Sequence, residues 1–116
     1  MSTTASVLEH HLAAFGDQDL EETMVDYGED AVLITQGATF RGHEEIRGVF
    51  EDFYAEFSQE GVELSVEEQT VEGEYAYIVW NARTPDNDYE FATDTFVIQD
   101  GEIVAQTLGT VVTSRE

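Results

Sequence analysis

Apolar residues in the first half of the chain recur every three or four positions, which is the spacing of an α-helix. Three such stripes are present: Val7, Leu8, His11, Leu12 and Phe15; Leu20, Thr23, Met24 and Tyr27; and Ile46, Val49, Phe50, Phe53, Tyr54 and Phe57. The run Gly16-Asp17-Gln18 ends the first stripe, Asp19 precedes the second as an N-cap, and Gly28 follows it. The pattern predicts three helices, with a β-branched strand over residues 31–35 between the second and the third.

After Gly61 the apolar period changes from 3.6 to 2, as in β-strands that bury one face. The positions that share the buried face are Val62, Leu64 and Val66; Ala76, Ile78, Trp80 and Ala82; and Ala92, Asp94, Phe96 and Ile98. Asp100-Gly101 is a hairpin signal, and a last strand is predicted from Glu102 to about Thr113. Helices followed by hairpin-linked strands predict one α+β domain over residues 1–116, with three N-terminal helices packed on a strongly curved antiparallel sheet. Such a sheet, wrapped around a long helix, forms a cone that encloses a pocket.

The opposite face of the predicted sheet is apolar as well. It carries Tyr75, Tyr77, Val79, Thr95 and Val97. Monomers seldom expose a contiguous apolar patch of this kind. The pattern therefore predicts a two-fold homodimer in which the outer sheet faces pack together.

Acidic residues outnumber basic ones by 26 to 4, which gives a formal net charge of −22, and all four basic residues are Arg. Because 41% of the residues are hydrophobic, the chain can still build a core, and general disorder is excluded. A surface this negative disfavours nucleic acid and anionic membranes as partners. The acids are scattered between apolar positions, as on the solvated surfaces of proteins from halophiles, so they indicate habitat rather than activity.

The sequence lacks residues and segments that several kinds of catalytic site and several cellular locations require. Without cysteine there are no disulfides and no thiolate nucleophile. The adjacent His10 and His11 point to different faces of a helix, so no metal site is expected. No phosphate-cradling glycine loop occurs, and no cofactor is expected. No apolar run is long enough to span a membrane, and the N-terminus has no signal-peptide pattern. The chain is therefore expected to be a soluble cytoplasmic protein.

Asp94 and His11 are the candidate chemical groups, because each lies on an apolar face. A carboxyl in an apolar hollow should have a raised pKa, since burial penalises its charged form. Alternatively, Asp94 forms an ion pair with Arg41, Arg83 or protonated His11, and His11 is a core histidine satisfied by backbone or water.

Three further residues are candidates for contact with a ligand, each with a simpler reading beside it. Trp80 is either a flat apolar wall of the pocket or part of the core. Tyr27 could reach the hollow with its hydroxyl group, or it belongs to the core or to the rim. The Gln106 amide suits ligand orientation but could equally face solvent.

The order of elements and four landmarks resemble the nuclear transport factor 2-like superfamily, closest to its SnoaL-like and ketosteroid-isomerase-like branch. The landmarks are residues 16–20 (GDQDL), 30–32 (DAV), 41–46 (RGHEEI) and 94–103 (DTFVIQDGEI). The resemblance implies that Asp94 stands where ketosteroid isomerases keep the protonated Asp of the oxyanion hole, and His11 where they keep its Tyr. Thr35 stands where they keep the general base, and Gln106 where some SnoaL-like proteins carry a pocket His.

Two functions follow from the resemblance. The first is binding of a small apolar, carbonyl-bearing molecule with isomerase, cyclase or dehydratase chemistry. Asp94 and His11 would then be catalytic, and the ligand would contact Tyr27, Thr35, Trp80 and Gln106. The second is a non-catalytic dimeric module that binds a ligand or a protein. It is favoured by Thr35, which cannot replace a general base, and would be favoured by a hollow filled with side chains.

Overall fold

A computed structural model of the protein describes residues 3–115, which form three helices and six strands. In chain order these are α1 (Thr4–Gly16), α2 (Leu20–Val25), β1 (Tyr27–Thr35), β2 (Ala38–Arg41), α3 (Gly42–Phe57), β3 (Glu63–Glu72), β4 (Tyr75–Arg83), β5 (Asn87–Gln99) and β6 (Glu102–Ser114). The α+β architecture of helices on a curved sheet is therefore confirmed. The third helix lies between β2 and β3, in the first half of the chain.

The strands form a single open sheet in the order β2-β1-β6-β5-β4-β3. Four of its five strand pairs are antiparallel, but β1 and β6 run parallel. The prediction of a purely antiparallel sheet is thus wrong at this pair. The β1–β6 pairing joins the two halves of the chain. It was not predicted because the local pattern of apolar residues carries no information about so distant a pairing partner.

Tyr27 lies on a strand and not at the end of the second helix, which is a correction to the helical stripe. The helix α2 stops at Val25, and Tyr27 pairs with Ile103 at the start of β6. The backbone N–H of Ile103 also donates to the carbonyl of Asp26 at 2.7 Å. These long-range hydrogen bonds override the helical spacing, so β1 begins four residues earlier than residue 31, where the strand was predicted.

The predicted N-cap of the second helix and the last hairpin are present, and the first helix has a side-chain cap as well. Thr3 caps α1 in a capping box with Ser6, and Asp19 caps α2 by accepting from the backbone N–H of Glu22. Asp100 and Gly101 both have positive φ, 52° and 78°, as a tight turn between two antiparallel strands requires.

The core lies between the helices and the concave face of the sheet. The helix α3 contributes four buried side chains at helical spacing: Ile46, Phe50, Tyr54 and Phe57. On the outer sheet face, Tyr75 and Tyr77 are 55% and 38% exposed, whereas Val79, which shares this face with them, is buried. Within residues 3–115, no helix combines the length and the apolar character needed to cross a membrane.

Candidate functional site

A small cavity of about 50 Å³ lies between α1, α3 and the concave face of the sheet. Its walls are mostly aromatic and aliphatic, and they include Phe15, Leu33, Phe50, Phe53, Ile78, Phe96 and Leu108. Its outer lip is formed by Leu64 and Val66 of the edge strand β3, which are 40% and 38% exposed. Its polar groups belong to His11, Trp80, Asp94 and Gln106.

Asp94 is 6% exposed, and both of its carboxylate oxygens accept hydrogen bonds from neutral side chains. Oδ1 accepts from the indole Nε1–H of Trp80, and Oδ2 from Nε2–H of Gln106, each at 2.7 Å. None of the ion pairs considered above forms, because Arg83 instead pairs with Asp88 at 3.2 Å and no salt bridge of Asp94 occurs within residues 3–115. Asp94 is thus a buried carboxyl without a positively charged partner.

The strand register explains why these three side chains meet. Asp94 on β5 lies opposite Ile78 on β4 and Leu108 on β6. Trp80 lies two positions after Ile78, and Gln106 lies two positions before Leu108, both on the same face as Asp94, so each is a diagonal neighbour of Asp94. Diagonal neighbours are within reach of long side chains. An indole and an amide can therefore donate to one carboxylate from both sides.

Burial raises the pKa of Asp94 from 3.8 to about 6, while the hydrogen bonds from Trp80 and Gln106 act in the opposite direction by stabilising the anion. The raised pKa expected from the apolar face is therefore confirmed. A group with this pKa exchanges its proton close to neutral pH.

Gln106 connects Asp94 to Tyr27. The Tyr27 hydroxyl group donates to Oε1 of Gln106, and the Tyr27 side chain is almost fully buried. Burial also raises the pKa of Tyr27 well above its usual value, so the hydroxyl keeps its proton. Tyr27 is not part of the cavity wall; its hydroxyl group reaches the site through Gln106, and its ring packs against His11 and Phe50 of the wall.

His11 projects from α1 into a ring of aromatic side chains. Its imidazole makes edge-to-face contacts with Tyr27, Phe50 and Phe96, at centroid distances of 5.8, 5.8 and 5.1 Å. Its Nδ1 is buried and has no hydrogen-bond partner within residues 3–115. Burial lowers the pKa of His11 to about 4, so the imidazole is neutral at neutral pH. His11 Nδ1 therefore has no backbone or side-chain partner among these residues, and the neutral imidazole is not a cation that pairs with Asp94.

Thr35 does not line the cavity, which departs from the expectation for a ligand-binding residue. It is half-buried at the end of β1, beside an open groove that is lined in part by acids of α3, including Glu44 and Glu45. Leu33, two residues earlier, is the β1 residue in the cavity wall. Thr35 lies further along the strand, where it pairs with Leu108 and Ala38.

The lip residues Leu64 and Val66, and Phe53, were not predicted to belong to the site. The spacing of apolar residues predicts that these side chains face the core side of their strand or helix. It does not distinguish a residue of the core from a residue that lines a pocket. Only the sheet order, which makes β3 an edge strand, shows that Leu64 and Val66 border an opening.

The site brings together one acid–base carboxyl, one neutral imidazole and two hydrogen-bond donors in an apolar cavity. A carboxyl that titrates near neutral pH can both deliver and accept a proton. A neutral imidazole can donate from one nitrogen and accept at the other. Among residues 3–115, no cluster of three or more His, Asp or Glu side chains could hold a metal ion.

Comparisons with known proteins agree with this architecture. Residues 8–106 match the family model described as SnoaL-like domain. No curated protein matches the sequence.

Solved structures share the fold at low sequence identity. An NTF2-like protein from Burkholderia thailandensis has a TM-score of 0.80 at 19% identity, over 96% of this chain and 92% of that chain. A candidate ketosteroid isomerase from Kribbella flavida has a TM-score of 0.79 at 14% identity, over 97% and 80%. A candidate polyketide cyclase from Sinorhizobium meliloti has a TM-score of 0.73 at 20% identity, over 88% and 92%. At these identities the likeness shows the NTF2-like fold alone.

Proposed function

Because the chain belongs to the SnoaL-like domain family, we propose that its cavity binds a small apolar, carbonyl-bearing molecule and performs acid–base chemistry of the isomerase, cyclase or dehydratase type. The observation that carries the proposal is Asp94, a carboxyl that is buried in an apolar cavity, that has no cationic partner in the described part of the chain and whose pKa is raised to about 6. Perturbed ionisable groups in clefts are typical of functional sites.

In the proposed chemistry, Asp94 and His11 act on opposite ends of a carbonyl system. Protonated Asp94 donates a hydrogen bond to the carbonyl oxygen. The neutral imidazole of His11 acts as a proton shuttle: its Nδ1 takes a proton from the carbon next to the carbonyl group, and the C–H electron pair moves to make an enolate whose oxygen accepts the hydrogen bond from Asp94. The imidazolium then returns the proton to the same or another carbon. Trp80 and Gln106 hold the carboxylate in place, because each donates to one of its oxygens.

The cavity limits the size of the ligand. About 50 Å³ accommodates a few water molecules or a ligand of roughly five non-hydrogen atoms. A larger molecule must displace side chains of the lip, and Leu64 and Val66 lie on an exposed edge strand that packs against one neighbour only. A small ketone is therefore a suitable first probe.

Two substitutions of Asp94 test the proposal. Asp94→Asn keeps an N–H that can donate to a carbonyl oxygen, so it should bind a ketone probe about as tightly as the protonated wild type. Asp94→Ala removes the donor and should weaken binding about tenfold or more. Glu90→Gln, an exposed acid on the same strand, is the control for net charge. Equal affinity of the Asn and Ala variants would contradict the role of Asp94 as a donor.

The small size of the cavity also favours a second candidate, a non-catalytic module that binds a ligand or a protein. The strand β1 contributes Leu33 to the cavity wall, and this side chain has no acid–base group. Under this candidate, ligands bind at the lip without contact to Asp94. The two Asp94 variants then bind the probe as the wild type does, which separates the candidates.

We also propose that two copies of the chain pack through the outer sheet face. The middle of this face carries no charged residue, although the chain has 26 acids. Its members on β4, β5 and β6 are Tyr75, Tyr77, Thr95, Val97, Ala105 and Thr107. An uncharged, partly apolar face on a strongly acidic protein is best explained by burial against a second copy.

A further inference from the structure

The chain of hydrogen bonds that ends at Asp94 has a fixed direction. Trp80 can only donate, because its indole nitrogen has a proton and no lone pair to offer. The Gln106 amide can donate or accept, depending on which of its ends faces Asp94. In the structure its Nε2 end faces Asp94 Oδ2, and its Oε1 end accepts from Tyr27.

The opposite orientation of the amide would change the hydrogen bonds that Asp94 can form. With Oε1 turned toward Asp94, Gln106 would accept the proton of the protonated carboxyl and keep it from any ligand. In the observed orientation Gln106 offers Asp94 only an N–H group, so a proton on Asp94 has no acceptor in the amide.

Tyr27 determines which orientation is occupied. Among residues 3–115 its hydroxyl has one hydrogen-bond partner, Oε1 of Gln106, and the side chain is buried away from water. If the amide turned around, this O–H would lose its acceptor, which is unfavourable for a buried polar group.

We infer that Tyr27 is a positioning residue: by donating to Gln106, it holds the amide in the orientation that leaves the proton of Asp94 available to the ligand. This role of Tyr27 extends the proposed function and rests on it in one respect, namely that a ligand uses the proton of Asp94. The orientation itself is a property of the free protein.

The sole tryptophan of the chain is a reporter for this arrangement, because its indole N–H touches Asp94. The NMR shift of this N–H, followed against pH, gives the midpoint of the Asp94 titration. Within residues 3–115, the other ionisable groups near Asp94 are His11 from α1, which lines the same cavity, and Tyr27 from β1, whose pKa is raised by Asp94, by Tyr54 of α3 and by Asp26 in addition to burial. Trp80 of β4 and Gln106 of β6 do not titrate. His11 is neutral above its pKa of about 4, so a midpoint near pH 6 belongs to Asp94.

The experiment compares Tyr27→Phe with the wild type. Without the hydroxyl the amide can turn, the protonated carboxyl gains an acceptor and the anion loses a donor. We expect the midpoint to rise from about 6 to about 7 or higher. The matched control is Tyr54→Phe, which removes another buried hydroxyl, one that bonds to Thr23 and not to Gln106. This control should leave the midpoint near 6.

A double variant shows whether Tyr27 acts through Gln106. Gln106→Met, which removes the donor and keeps the volume, should itself raise the midpoint, and Tyr27→Phe should add no further change in that background. If Tyr27→Phe does not fold, the single Gln106→Met variant still tests the arrangement. An unchanged midpoint in Tyr27→Phe, or in Gln106→Met, would overturn the inference, as would an equal effect of Tyr27→Phe with and without Gln106. Because no ligand is used, the outcome is independent of whether a ketone binds.

Discussion

At the scale of single residues, the two buried ionisable groups of the cavity respond to pH in opposite ways. Burial raises the pKa of Asp94 to about 6 and lowers that of His11 to about 4. As pH rises from 3.8 to about 6, the unfolded chain loses the Asp94 proton before the folded protein does, so stability falls. Between about 4 and 6.5 the unfolded chain retains the His11 proton that the folded protein has lost, so stability rises with pH.

A substitution at Asp94 isolates the contribution of this residue to the pH dependence of stability. The difference between a pKa of 3.8 and one of about 6 corresponds to about 3 kcal/mol. Relative to the wild type, Asp94→Asn should gain up to about that much unfolding free energy between about pH 4 and about pH 7. Urea denaturation at the two pH values measures the change. A difference between variant and wild type that is the same at both would contradict the assignment of the raised pKa.

The sequence showed that Asp94 faces the hollow but not which side chains contact it. Its alternation with Ala92, Phe96 and Ile98 is local information along one strand. Its contacts with Trp80 and Gln106 depend on the register of three strands, and the position of Tyr27 depends on the β1–β6 pairing. Site residues that come together through strand register are therefore the part that patterning cannot predict.

At the scale of elements, the C-terminal end of α3 is tied to the turn between β4 and β5 through one carboxylate. Glu56 accepts from the Thr84 hydroxyl at 2.6 Å, from Asn87 Nδ2 at 2.9 Å and from the Tyr89 hydroxyl at 2.7 Å. Thr84 is fully buried, so it has no access to water if Glu56 is removed. The carboxylate thus fixes the helix against the sheet at one end of the core.

Removing this carboxylate should destabilise the fold. We expect Glu56→Ala to lower the unfolding free energy by about 2–4 kcal/mol, because it leaves buried donors without an acceptor. Asp52→Ala, one turn earlier and exposed, is the control and should change it by less than about 0.5 kcal/mol. Urea denaturation curves of the two variants measure the change in unfolding free energy. A similar small loss in both variants would show that the three hydrogen bonds do not hold α3 in place.

Elements with strong periodicity were predicted well, and short or non-local ones were not. The helix α3 has six apolar positions on one stripe, and its boundaries follow from Gly42 and the loss of the stripe after Phe57. The four-residue strand β2 is too short for alternation to stand out, and it was missed. A strand of this length forms because β1 offers it an edge, which is a tertiary effect.

At the scale of the whole molecule, the net charge of −22 opposes folding through repulsion among carboxylates. Salt at about 1 M shortens the screening length to about 3 Å and should remove most of this repulsion. The unfolding free energy in urea should therefore rise from about 0.1 M to about 1 M NaCl and then level off. A rise that continues in proportion to concentration would instead indicate exclusion of salt from the protein surface.

The outer sheet face allows the oligomeric state to be tested by one substitution. Sedimentation should give a mass of about twice the 13.0 kDa of the chain. Tyr77→Glu places a charge in the middle of the uncharged face and should yield monomers, whereas Ala55→Glu on the exposed side of α3 should not. A monomeric wild type would contradict the proposed dimer.

The most direct test of the proposed function is a titration with butanone, a ketone that matches the size of the cavity, followed through the Trp80 indole N–H. The matched control is the hydrocarbon in which a CH₂ group replaces the carbonyl oxygen. We predict saturable shifts with the ketone that are stronger at about pH 5, where Asp94 is protonated, than at about pH 8, and weaker binding of the hydrocarbon. No saturable shift at either pH, or equal binding of ketone and hydrocarbon, would contradict a carbonyl site at Asp94.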